Sequence, residues 1–194
     1  MTSAEAILEP VRRPVQPVSG SRMAWMDIVR GAAVLAVVAF HSVTMVERYG
    51  IEANVIWRYL NETLKLFRMP ILVFLSGMLL TRSLAKPTPQ YIYGKISGIF
   101  WPFLVWSTIY GVVLQLDFTN IQALQILYTG GSHLWFLVFL LSYYIVAKPL
   151  EGVHPLVIAA VAFALSIASP DGDKYSERIL FLMSLFFLAS FASR

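Results

Sequence analysis

Cysteine is absent from this chain of 194 residues, so a disulfide framework and a thiolate metal site are both excluded. Charge is scarce: Asp, Glu, Lys and Arg make up 13% of the residues, against roughly 25% in a soluble domain. Charge is also missing in blocks, with none in residues 31–46, 69–81, 96–116, 118–147, 152–170 or 179–193. A soluble fold of this length needs more polar surface than those gaps leave. Disorder is excluded by the same composition, which is 58% hydrophobic and 14% aromatic. The basic residues are not run together as a nucleic-acid surface requires. No HExxH, GxSxG, P-loop or dinucleotide fingerprint occurs, and no internal repeat is evident. The first 22 residues hold Pro10, Pro14, Pro17, Arg12, Arg13 and Arg22 and no apolar run of signal-peptide length. They read as a disordered cytoplasmic tail, residues 1–24, ahead of a membrane domain at 25–194.

What is present is a series of apolar runs. About 20 helical residues cross a hydrocarbon core. Six segments are candidates: 25–46, 70–85, 96–116, 133–149, 155–169 and 179–192. The second crosses only if Arg82 reaches back to the interface. Between the first two, Ile51, Val55, Ile56, Tyr59, Leu60, Leu64 and Phe67 recur at helical spacing, with Glu52, Arg58, Glu62 and Lys65 elsewhere. This pattern predicts an amphipathic helix, either on the membrane surface or packed on the bundle as a loop helix. Arg58 and Glu62 stand at a spacing that permits pairing. The expected fold is an all-α, polytopic transmembrane helix bundle of about six spans. With the N-terminus inside, nine Lys and Arg residues face the inner side and six the outer. The positive-inside rule favours that orientation. Trp25, Trp57, Trp101 and Trp135 fall near span ends, as an aromatic belt would.

An ionisable group within a span is costly and points to function. The first span holds His41, eleven residues after Arg30. At 100° per residue the two lie about 20° apart around the helix, and about 16 Å apart along it. They therefore share a face. That geometry suits a long ligand with an anionic head and a reactive tip. Arg30 offers a fork of donors to phosphate, and a buried imidazole at His41 can accept a proton from a hydroxyl. Acyl-coenzyme A has this shape. The plainer roles stay open: a positive-inside anchor for Arg30 and a hydrogen-bonded core histidine for His41.

Four motifs in order resemble the acyltransferase 3 family of integral-membrane acyltransferases. The first is Met26-Asp27-Ile28-Val29-Arg30-Gly31 followed by Val37-Val38-Ala39-Phe40-His41, similar to the family's Arg, ten residues, His. The second is Phe67-Arg68-Met69-Pro70 with Phe74-Leu75-Ser76-Gly77. The third is the basic segment from Lys95 to Pro102. The fourth is Leu134-Trp135-Phe136-Leu137 with Tyr143-Tyr144. The resemblance covers residues 25–150 and the N-terminal half of a typical member, since full-length members carry more spans. It implies transfer of an acyl group, often acetyl, from acyl-CoA to a hydroxyl of a carbohydrate or glycan. Acyl-CoA (acetyl-CoA) is then a donor substrate, and no permanently bound cofactor or metal is expected. His41 is the implied base, and Arg30 and Lys95 the implied donor-binding residues. The family often has a second basic residue four positions before the Pro, where this chain has Gly98.

Other residues are candidates for support. Asp27 precedes Arg30 by three positions and can pair with it. Arg68, on the outer side, can meet acceptor, though headgroup anchoring fits it better. Ser76 and Gly77 are small enough for close helix contact. His133 can assist His41 or belong to a loop, and His154 reads as an interface residue. Pro102 leaves the Gly98 carbonyl without its helical donor and predicts a kink. Expected partners are membrane lipid and a glycan acceptor, not nucleic acid, with a partner chain to complete the bundle if the chain is a truncated form. A catalytically inactive subunit and a small transporter using His41 as a proton site are the competing functions. They divide on whether the Arg30–His41 face lines a slot.

Overall fold

The computed structural model describes residues 24–48, 50–52, 54–113, 115–116, 119–120, 125, 134–170 and 174–194. Residues 1–23 of the expected tail, and His133, lie outside the described residues, and Ala24 already begins the first helix. Among those described there are helices and turns and no strand.

Helix α1 is Ala24–Arg48, with Asp27 in its first turn, where a carboxylate favours the helix dipole. Beyond it Gly50 has a φ of +78°, a left-handed conformation that glycine adopts at little cost. The Gly50 and Ile51 amides donate back to the Glu47 and Val46 carbonyls at 3.0 and 3.3 Å. Asn54 then starts helix α2, Val55–Met78, its side chain accepting the Ile56 amide at 2.9 Å. Across the hairpin, Arg58 Nε donates to Glu47 Oε1 at 3.2 Å.

One sequence expectation is corrected in α2. The amphipathic segment is no separate element, because it runs unbroken into the second span, through Pro70. A proline within a helix removes one hydrogen bond, and here the helix carries on regardless. Along its first half Val55, Tyr59 and Leu66 are exposed and Asn61 is buried. Helix α3, Leu80–Leu84, follows after Leu79.

The third span also begins earlier than its uncharged run. Helix α4 is Thr88–Lys95, with a proline in its first turn, where no amide donor is needed. It passes through a π-helical turn, Ile96–Phe100, into helix α5, Trp101–Val113. The expected kink at Pro102 takes this form. With no N–H at Pro102 the α register fails, and the Trp101 amide instead donates to the Ile96 carbonyl five residues back. Lys95 is thereby inside a continuous helical run and not in a loop.

Helices α6, Trp135–Ala147, α7, Pro155–Ile167, and α8, Lys174–Ala192, complete the bundle. Helix α8 packs on both α7 and α2, and α1 packs on α2. Three helical runs are long and apolar enough to cross a membrane: 24–44, 88–113 and 174–192. Helices α6 and α7 have 13 residues each, about 20 Å, short of the roughly 30 Å core. Of the six spans expected, three are matched among the described residues by full-length apolar helices, with α6 and α7 as shorter apolar ones.

The core gathers Val73, Leu80, Phe139, Tyr143, Leu182 and Phe186 from α2, α3, α6 and α8. Its tyrosines bring hydroxyls into apolar surroundings, and each finds a carbonyl. Tyr143 donates to Ile179 at 2.9 Å, Tyr144 to Ser76 at 3.2 Å and Tyr91 to Tyr144 at 2.7 Å. These bonds tie α6 to α8, α2 and α4. Gly77 meets the Phe186 backbone so closely that a Cβ would collide with the Phe186 carbonyl. The small-residue contact expected at Ser76-Gly77 is thus an α2–α8 packing contact.

Candidate active site

Residues from different helices meet at two levels. At the level of Arg30 the neighbours are Ser76 near the end of α2, Lys95 at the end of α4 and Tyr144 in α6. At the level of His41 they are Arg68 in α2, Trp135 at the start of α6 and Arg178 near the start of α8. Each level joins late residues of some helices to early residues of others, as spans of alternating direction require.

The first level lines an open cavity of about 490 Å³. Its walls are apolar (Val34, Leu72, Ile99, Leu140), and Arg30 and Lys95 bring the charge. The Lys95 ammonium lies 3.5 Å from the centroid of the Tyr144 ring. That cation–π contact holds an ammonium where water is scarce. Gly94 and Gly98 belong to the same wall, and a Cβ on either would meet nothing within 4 Å. The missing basic residue at Gly98 leaves open space in that wall. Ser76 spends its hydroxyl on the Leu72 carbonyl at 2.8 Å, so its role here is lining and packing.

The second level encloses about 400 Å³, lined by Phe40, His41, Arg68, Met69, Trp135 and Arg178 among others. Val37 and Met69 belong to the walls of both cavities. The two spaces therefore adjoin, and the Arg30–His41 face of α1 runs along them both. Phe40 links the site's polar groups: its ring meets the His41 ring edge-on at 5.1 Å, and the Arg68 guanidinium lies 4.0 Å above its centroid.

Arg68 departs from the headgroup anchor that its sequence position favoured. Only 4% of it is exposed, and its Nη1 has no hydrogen-bond partner. Trp135 also leaves the expected aromatic belt, since its ring packs on Phe139 at 5.0 Å and carries the Arg178 guanidinium at 5.3 Å. Sequence reasoning passed over Arg178, which stands at a span end like any other anchor and gains meaning only from the Trp135 face beside it. Asp27 lies on the exposed side of the first turn of α1. His154 caps α7 and its ring rests 5.6 Å from that of Phe191. Among the described residues no cluster of side chains could hold a metal ion.

The helix bundle that carries these two cavities can be compared with known proteins. The acyltransferase-domain model of the acyltransferase 3 family matches residues 23–193, and the chain belongs to that family. It is 26% identical over 174 residues to the inner membrane protein YcfT of Escherichia coli strain K12, an alignment covering 72% of this chain and 49% of that protein. The chain thus spans about half the length of this curated relative. No solved structure matches it.

Proposed function

We propose that the protein takes part in acyl transfer from acyl-CoA, with acetyl as the expected group, to a hydroxyl of a carbohydrate or glycan at the inner membrane. The observation that carries this reading is the adjoining pair of cavities along the Arg30–His41 face. Arg30 and Lys95 supply cations for the donor phosphates, since phosphate is held most strongly by charge-assisted hydrogen bonds. The apolar stretch past Val34 and Val37 accepts the flexible arm and brings the thioester to His41. There the His41 imidazole takes the proton of the acceptor hydroxyl as its oxygen attacks the thioester carbonyl. The tetrahedral intermediate collapses with loss of the coenzyme A thiolate, and the His41 proton goes to that sulfur. The ester forms, the thioester breaks and the histidine is restored.

Membership of an acyltransferase family supports the reaction class. The inner-membrane relative and the apolar helices support the location. The distribution of Lys and Arg supports an N-terminus on the cytoplasmic side. The test is to incubate membranes containing the protein with radiolabelled acetyl-CoA and follow label into glycan. The expected result is a labelled glycan that disappears in His41→Ala while donor binding persists. Wild-type turnover in His41→Ala overturns the assignment.

A further inference from the structure

Acyl-CoA explains the cations at only one end of the slot. Its phosphates lie at the head and its acyl tip is neutral, yet the tip end holds two guanidiniums beside His41. Arg68 is buried, is stacked on Phe40 at 4.0 Å and keeps Nη1 without a hydrogen-bond partner. Glu62 is the acid whose field reaches it, and Glu62 lies on the exposed side of α2. Arg178 stands at the rim over Trp135, and among the described residues no acid lines this cavity. A buried guanidinium with an unpaired donor is costly unless an acceptor completes it, and an anion is the strongest acceptor for a guanidinium.

We propose that the acceptor is anionic: a carboxylate- or phosphate-bearing carbohydrate whose charge is held between Arg68 and Arg178, with its reactive hydroxyl at His41. This rests on the acyl-transfer reading for the acceptor's role, but the anion site itself can be measured apart from turnover.

The probes are octyl β-D-glucuronide and octyl β-D-glucoside, which differ by one carboxylate. Binding of each to the detergent-purified protein is measured beside transfer of label from acetyl-CoA. The expectation is glucuronide binding about tenfold or more tighter than glucoside, as charge-assisted hydrogen bonds supply. That preference falls towards unity in Arg68→Gln. It is reduced in Arg178→Gln, an exposed position where folding is not at stake, and acetyl-CoA binding is unchanged in both. Equal binding of the two glycosides, or a preference that survives both substitutions, overturns the proposal. So does an Arg68→Gln variant that slows transfer to both glycosides alike, since Arg68 then serves the reacting carbonyl. Anion-selective binding with no labelled product from either glycoside supports the site and overturns the acyl-transfer reading instead.

Discussion

In the proposed reaction, Arg30 and His41 divide the work of a bound donor between its charged head and its reactive tip. Replacing Arg30 by Ala is expected to raise KM for acetyl-CoA by about tenfold to a hundredfold, the value of one or two charge-assisted hydrogen bonds to phosphate, with kcat little changed. Steady-state kinetics with donor as the varied substrate checks this; a fall in kcat at constant KM places Arg30 at the reacting end instead. The shared face of these two residues was legible in the sequence, because helical pitch is fixed and α1 is unbroken between them. The setting of Arg68 was not. Its burial depends on Phe40, 28 positions away in the chain and on another helix, lying under the guanidinium at 4.0 Å. Lys95 was legible as a basic residue near the family's Pro, but its contact with the Tyr144 ring needs α6 in place.

At the scale of elements, backbone approach separates the glycines. Gly77→Ala drives a methyl into the Phe186 carbonyl across the α2–α8 contact. The expected loss is about 1–3 kcal/mol, as for other overpacked sites, read as a lower melting temperature of the detergent-purified protein. Gly98→Ala adds a methyl to open space in the slot wall and is expected to leave that temperature unchanged or slightly raised. Equal effects at the two positions contradict the packing described. Tyr144→Phe removes the bond to the Ser76 carbonyl and is expected to cost about 1 kcal/mol; the ring, and so the Lys95 contact, remains. Helix existence was legible from the apolar runs, but boundaries were not. The charges of residues 52–68 suggested a separate surface helix, whereas α2 carries them straight into the bundle. Pro102 was legible as a break in the hydrogen-bond ladder; that the chain absorbs it as a π-helical turn depends on packing against α4 and α6.

At the scale of the whole molecule, the slot has a direction only if the membrane does. Lys86 follows α3 and Lys174 begins α8, so the proposed orientation puts them on opposite sides. The absence of native cysteine makes single-cysteine labelling unambiguous. Lys174→Cys is expected to react with an impermeant maleimide applied from outside the inner membrane, and Lys86→Cys only after the membrane is opened. The reverse pattern inverts the orientation and places Arg30 away from cytoplasmic acyl-CoA. Membrane residence was legible from scarce charge alone. The number of full crossings was not, because α6 and α7 are too short to be read as spans by length.

The proposed slot from Arg30 to His41 is defined most narrowly by the two residues common to both cavities, Val37 and Met69. Val37→Trp leaves Arg30, Lys95 and His41 unsubstituted and fills the junction between them. Measured on one preparation, acetyl-CoA binding is expected to persist through Arg30 and Lys95 while acetyl transfer falls by at least about a hundredfold, the cost of misplacing the reacting group. Wild-type transfer through a plugged junction contradicts the account.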